Sequence, residues 1–362
     1  MTTRIIIGAN LGDEGKGTAT ARYTKLAKGP VLNILTNGGA QRAHSILTDN
    51  GSFTFKHFGS GTYHGADSYF AKTFIINPMQ FVSEWYELND RGVTTNVYRH
   101  PDCMWSTPWD MMANAIKEEM LGRHASCGMG IWQTICRYNN TFTIPFDVFI
   151  GMEPTRQKAW LYKIKEYYEK DLNIPDSWKE SWNGSILMEH FIADCKFMHH
   201  HTSTVLTPIY DEIIMENGQG MMLCDTGKDT PDTTPSLTDS RIAMRVMNEL
   251  KETYNIDCSN DVIAHYVTRP YLTRHGDGYL HKEQGCTSIS KDISLDRTNH
   301  YNDFQGGFRY GILDIVDLKK RIDNDVNPFK KEIELTHCDE MDRVSEFRRM
   351  FNTVNVYDSA LI

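Results

Sequence analysis

The stretch GANLGDEGKGTA, residues 8–19, follows the apolar run RIIIG and brings glycines, a lysine and two acids together. Glycines let backbone N–H groups approach a phosphate closely, and a helix starting there adds its N-terminal dipole. Lys16 would then reach a β- or γ-phosphate as a point charge. Spacing from Gly8 to Gly15-Lys16 is longer than in the usual phosphate loop, and Gly17 replaces the usual hydroxyl. Two acids, Asp13 and Glu14, stand where a triphosphate would repel them. A carboxylate there has two uses: it can hold Mg²⁺, and it can take a proton from the acceptor in phosphoryl transfer. The same residues also read as a tight strand-to-helix turn with surface charges.

The elements that must position this loop follow from the hydrophobic pattern. RIIIG, the loop and TATARYTKLAKG read as strand, loop and helix, and PVLNIL supplies a second strand. PMQFVSEWYELNDRG reads as a helix opened by Pro and closed by Gly. GMMLCD (220–225) and VIAHYVT (262–268) read as buried strands. This alternation predicts an α/β fold with a mostly parallel central sheet, a P-loop-like nucleotide site and function at the carboxyl ends of strands. Residues 155–217, rich in Trp and Tyr, read as a helical insertion within a single domain spanning 1–362.

Composition bounds the function. The chain has 362 residues, 40% hydrophobic and 23% charged, with a net charge of −9. That balance argues against a general nucleic-acid binder, while a small anionic substrate remains compatible with local cationic pockets. No apolar run is long enough to cross a bilayer, and no secretory h-region opens the chain. A cytoplasmic protein is expected. The eight cysteines form no CxxC pair and read as reduced thiols. Three consecutive histidines at 199–201 cannot all face one ion from a helix and read as solvated or capping. HGDG at 275–278 reads as a tight turn lining a ribose.

GDEGKG at 12–17 resembles the signature of the adenylosuccinate synthetases. NGGAQRAHS (37–45), TRHGDG (273–278), FRYGILD (308–314) and LTHCD (335–339) resemble further family segments in the same order. The resemblance implies a C–N ligase. A nucleoside triphosphate phosphorylates the 6-oxygen of a purine nucleoside monophosphate, and L-aspartate then displaces the phosphate. It also implies Mg²⁺ and a homodimer; the charge and hydropathy above lead us to expect no nucleic-acid or membrane partner.

By the same resemblance, Asp13 takes the N1 proton of the purine and sits on Mg²⁺ with the carbonyl of Ala43. His44 stabilises the transferring phosphoryl group and acts as general acid, and Lys16 completes the catalytic set. Gly12, Glu14, Gly15, Gly17, Asn37, Gly38, Gln41, Ser126, Cys127 and Thr238 fall at nucleotide-contacting positions. Thr273, Arg274 and Gly276 line the ribose loop, and Asp339 reads the donor base. Arg137 corresponds to the arginine that reaches the nucleotide of a neighbouring subunit; otherwise it is a surface arginine. Arg309 is left as the amino-acid-binding residue.

The sequence departs from the family at several of these positions. The aspartate loop has lost its run of arginines, so Arg309 stands alone, with Arg274 or Arg297 as the remaining candidates to compensate. His337 replaces the lysine that packs along the donor base, which opens the choice among GTP, ATP and dATP. Lys228 stands where a glutamine reads the acceptor. The chain is shorter than the family and resembles the compressed phage 2-aminoadenylosuccinate synthetases, which use dGMP. Those enzymes tend to replace the loop aspartate, whereas Asp13 is kept here. That retention favours an acceptor such as IMP or dIMP. A nucleotide-binding protein without catalysis is the reading from a different class.

Overall fold

Strand β1 (Thr2–Gly8) is enclosed on both faces, with Ile5, Ile6 and Ile7 fully buried. Such continuous burial belongs to a parallel sheet covered on both sides. Successive side chains take opposite faces. Accordingly Ile5 and Ile7 enter one core, while Ile6 enters another beside Ala19 and Tyr23 of helix α1 (Lys16–Leu26). The computed structural model describes the chain apart from residues 50, 123–125, 141–142, 208, 226–232, 296–305 and 359–362.

Seven more strands complete the main sheet: β2 (Val31–Leu35), β3 (Asp67–Phe70), β4 (Val97–Arg99), β5 (Glu212–Glu216), β6 (Val262–Thr268), β7 (Lys330–Leu335) and β8 (Val354–Val356). Their spatial order is β8-β7-β6-β1-β5-β2-β3-β4, and each pairing is parallel. Ile7 lies opposite Tyr266 of β6, and Ile5 lies opposite Met215 of β5. The strand order turns back around β1, where α/β sheets open a crevice at their carboxyl ends. The expected α/β fold with its parallel sheet is present.

Helices Ser240–Tyr254 and Ile315–Asn324 bury Val246, Leu250, Leu318 and Ile322 against one face of the sheet. A second core gathers Trp105, Trp109, Trp160, Trp182 and Phe191. Its helices start at recognisable caps. Asn77 accepts from the Gln80 N–H ahead of Pro78–Asp90, and Thr107 with Asp110 forms a capping box ahead of Pro108–Leu121.

Two segments differ from expectation. Helices do fill Pro154–Glu169, Asp176–Asn183 and Ser185–His200, but the stretch then ends in β5, seated in the sheet between β1 and β2. EIIME is too short for its periodicity to stand out beside long helices. GMMLCD is not a strand: Met221–Leu223 makes one 3₁₀ turn. Gly220 presses on the loop that follows β1, where a Cβ would lie 2.3 Å from the Asn10 carbonyl oxygen. The chain must therefore turn aside.

Two small antiparallel units stand beside the sheet. His44–Thr48 pairs with Gly51–Phe55, and Arg309–Gly311 pairs with both Leu272–Arg274 and Glu283–Gln284. They carry His44 and Arg309. Among the described residues, no helix is long and apolar enough to cross a membrane.

Candidate active site

β1 ends at Gly8, and the loop 9–15 delivers the chain to the first turn of α1. Gly12 (φ 104°), Asp13 (φ 61°) and Gly15 (φ 98°) all lie in left-handed backbone. Such a run curls the loop, and Asp tolerates the conformation better than most side chains. Burial lifts the Asp13 carboxyl above its ordinary range, while His275, Lys16 and Arg269 pull it down. Its carboxylate takes no hydrogen bond among the described residues. Arg269, just past β6, holds the loop by donating to the Asp13 carbonyl at 2.7 Å.

Glu14 braces this loop. Its Oε1 accepts from the Asn10 and Gly12 N–H groups at 2.9 and 2.8 Å, and its Oε2 lies 3.1 Å from Lys16 Nζ. Both side chains are buried. Gly8 leaves them room, since a Cβ there would come within 2.5 Å of Glu14 Oε2 and 2.8 Å of Lys16 Nζ. Thr336, after β7, donates to the Glu14 carbonyl at 2.8 Å and ties the loop to the far half of the sheet.

His44 stands against the start of α1, where a Cβ on Gly17 would lie 2.9 Å from its own Cβ. Its Nδ1 bonds to Glu216 at the carboxyl end of β5. Burial and the neighbouring Arg42 push His44 down to about 4. Burial alone would raise Glu216, but Arg42, His44 and Ser60 overcome it and hold the carboxyl at about 2. Near neutral pH the pair is therefore an ionised carboxylate receiving a proton donor from a neutral imidazole. Ser60 adds two bonds to Glu216, at 3.0 Å from its N–H and 2.6 Å from its hydroxyl.

The structure thus gathers Gly12, Asp13, Glu14, Gly15, Lys16, Gly17 and His44 around one loop. Asn37 lies close by, fully buried, with its Oδ1 accepting from Gly218 N–H at 2.7 Å. Gly38 (φ 75°) leaves Gln41 Nε2 room at 3.2 Å, and that buried amide nitrogen has no hydrogen-bond partner among the described residues. Ala43 is exposed beside it. Thr238 points inward, its hydroxyl donating to Gly220 O at 2.9 Å, so it supports the turn beside the loop. Ser126 is held by Asn114 Nδ2 at 2.7 Å, and burial pushes the Cys127 thiol up to about 11. Asp339 is exposed beyond β7. His337 is buried (φ 55°), with Nδ1 2.9 Å from the Thr336 hydroxyl, so its ring faces inward.

One expectation, that for Arg137, changes on this geometry. Arg137 is neither an exposed arm toward a partner nor a surface residue: it is buried, with its fork on Asp110 at 2.8 Å and on the Trp105 carbonyl at 2.9 Å. Asp110, itself buried in its capping box, needs that cation. Arg274 laces its own loop by donating to Asp277 O at 2.8 Å and Tyr279 O at 3.2 Å, beside buried Thr273 and left-handed Gly276. Arg309 is engaged by Glu283. Lys228 and Arg297 lie outside the described residues.

Glu216, Arg42, Arg269 and His275 are the groups that sequence reasoning missed. Glu216 carried one usable signal, an acid at a strand end followed by Asn217-Gly218. Arg42 lies two residues before His44, so its basic charge was a local signal, whereas Arg269 and His275 meet the site only through tertiary contacts.

The sequence model of the family described as Adenylosuccinate synthetase matches residues 5–350. The chain is similar to the adenylosuccinate synthetase of Microcystis aeruginosa, 25% identical over 235 residues, covering 62% of this chain and 51% of that protein. It is likewise similar to that of Tropheryma whipplei, 28% identical over 237 residues, covering 62% and 53%. The chain spans about half the length of the curated relatives it matches.

Among solved structures it resembles a fully ligated adenylosuccinate synthetase from Plasmodium falciparum (TM-score 0.71, 17% identity, 95% of this chain and 78% of that one). It also resembles a cyanophage S-2L succinoaminodeoxyadenylate synthetase bound to dGMP and dATP (TM-score 0.62, 12% identity, 99% and 91%). These likenesses are in fold. With nearly its whole length matched by the family's sequence model, the chain belongs to the adenylosuccinate synthetase family.

Proposed function

We propose that this chain condenses L-aspartate with a 6-oxopurine (deoxy)nucleoside monophosphate, driven by a nucleoside triphosphate through a 6-phosphoryl intermediate. The observation that carries the reading is Asp13: a carboxyl of raised pKa at the tip of a left-handed loop, beside Lys16 and the His44–Glu216 pair. A plain phosphate cradle has no use for that acid; a phosphoryl acceptor that must lose a proton does.

In this reading Asp13 accepts the N1 proton of the purine. The electron pair moves to O6, which attacks the γ-phosphorus, and the diphosphate leaves. The aspartate amine then attacks C6 and phosphate departs. Lys16 and the loop N–H groups hold the donor phosphates. His44 Nδ1 donates to Glu216, which turns the other ring nitrogen into an acceptor in the neutral form. To serve as general acid the ring must gain a proton, and an arriving phosphoryl anion opposes the burial that holds its pKa down. In this reading Gln41, whose buried amide nitrogen has no hydrogen-bond partner among the described residues, contacts the nucleotide, and exposed Asp339 meets the donor base.

The residues fit Mg²⁺: the Asp13 carboxylate and the Ala43 carbonyl are hard oxygens, and the first takes no protein hydrogen bond among the described residues. Bound there, Mg²⁺ would neutralise charge developing on the transferring phosphoryl group. A homodimer acting in the cytoplasm completes the proposal. Met120, Leu121 and Trp132 supply exposed apolar surface on neighbouring helices. A second reading, with dGMP as acceptor and dATP as donor, is favoured by the cyanophage neighbour, 91% of whose length is covered.

Phosphate release with Mg²⁺ tests both. IMP, dIMP, GMP and dGMP are combined with GTP, ATP or dATP, with and without aspartate. Aspartate-dependent release with one acceptor supports the ligase and identifies its branch. Release that ignores aspartate, or none at all, refutes it.

A further inference from the structure

Arg309 lines an open cleft of about 480 Å³ together with Glu283, Cys286, Phe308 and Tyr310. The volume lies within the range of roughly 300–1,000 Å³ typical of small-molecule sites. The donors of Arg309 divide into two sets. NH1 donates inward to the carbonyls of Gly276 and Gly278 at 2.8 and 2.9 Å. Gly276 (φ 73°) and Gly278 (φ 102°) keep left-handed backbone, and those two carbonyls are what hold the guanidinium. Nε and NH2 form the outward fork, and both oxygens of Glu283 fill it at 2.9 and 2.5 Å.

A fork held by backbone on one side and by a half-exposed carboxylate on the other is a ready receptor for a carboxylate ligand. The cleft also communicates with the phosphate loop. Phe308 packs on His275 (4.4 Å between ring centres) and lies under the Arg269 guanidinium (5.6 Å). Both of those residues act on Asp13.

We propose that Glu283 is an internal stand-in for the amino donor's carboxylate and sets the donor affinity. Its carboxylate keeps the Arg309 fork aimed into the cleft, and the incoming amino acid binds by replacing it. The inference rests on the proposed ligase reading, with Arg309, which matches the family's aspartate loop, receiving the amino donor. Because the internal carboxylate occupies the fork, apparent affinity is reduced by the fraction of time the fork is taken. An exposed pair is weak enough for a substrate carboxylate to displace.

The test compares the full chain with Glu283→Gln and Arg309→Ala. The first readout is KM for aspartate beside KM for the monophosphate. The second is calorimetric binding of succinate, a dicarboxylate without the amine, with the monophosphate present. For E283Q we expect KM for aspartate and Kd for succinate each to fall about three- to fivefold, the scale of one exposed ion pair, while KM for the monophosphate stays put. Arg309→Ala loses succinate binding.

Succinate binding that is unchanged or weaker in E283Q overturns the proposal and leaves Glu283 as a strand tie. Tighter succinate but weaker aspartate binding also overturns it, because Glu283 would then hold the donor's ammonium. If the wild type shows no aspartate-dependent turnover, the ligase reading fails on its own. The succinate arm still decides the role of Glu283.

Discussion

Asp13 is the residue on which the proposed chemistry turns. Asp13→Asn keeps the shape and the left-handed backbone but cannot accept a proton. Turnover should fall by about 10²–10⁴, the usual share of a general base, while the triphosphate still binds within a few-fold. Equal loss of binding and turnover in single-turnover and equilibrium titrations would remove Asp13 from the role of base. His57 offers a test of electrostatics away from the loop. It is buried against Phe70, Phe74 and Phe81, and its Nε2 accepts from Asn77 N–H at 2.9 Å. Burial, with Arg42 adding, lowers it from 6.5 to about 3. The unfolded chain therefore binds more protons than the native one in this interval, and stability rises with pH. Stability supplied by neutral His57 should drain away as pH drops from 6.5 toward 3. His57→Gln, which can still accept from Asn77, should flatten that slope in urea titrations across this range.

At the scale of elements, the loop depends on glycines for space as much as for backbone angle. Gly8→Ala would drive a Cβ into the Glu14–Lys16 pair. Overpacking of this kind costs about 1–3 kcal/mol, and here it also spreads the loop amides. We expect a lower melting temperature together with weaker triphosphate binding. Gly51→Ala, at the tip of the His44 hairpin, has left-handed backbone (φ 96°) but no neighbour within 4 Å of the added Cβ, and should destabilise without changing nucleotide affinity. If both variants lose binding alike, crowding at Gly8 is not the cause. The site's acids and cations come from separate elements, the loop after β1, the start of α1, the ends of β5 and β6, and the hairpin, so none of these elements carries the site by itself.

For the whole molecule, ligands that bind only the native state should raise its stability by mass action, about 2.7 kcal/mol at a hundredfold excess over Kd. A thermal shift with triphosphate and Mg²⁺, enlarged by the monophosphate, would show that both reach the same folded site. Absence of any shift with every purine nucleotide would argue against a nucleotide site of either kind. The proposed homodimer predicts a sedimenting species of twice the 41.6 kDa chain mass. Trp132→Glu, placing a charge on the exposed apolar surface, should weaken that association. A monomer with full activity would remove dimerisation from the proposal.

Much of this was legible in the chain. RIIIG, PVLNIL and VIAHYVT are apolar runs bounded by turn residues, so local pattern marks them as strands of a covered sheet. GDEGKG reads as a phosphate loop because glycine, lysine and acid are adjacent in sequence. What the linear chain could not reveal depends on distant partners. EIIME becomes the strand beside β1 only because a parallel sheet has a place for it there. Glu14 turns inward to the loop amides instead of outward to a ligand. Arg137 retires to Asp110, and Arg309 meets Glu283 from another strand. Backbone tendency is local and survives in the sequence. The charge state and direction of a side chain depend on burial and on partners far along the chain, such as Glu216 for His44, 172 residues away, and Arg269 for Asp13, 256 away, and only the folded chain brings these together.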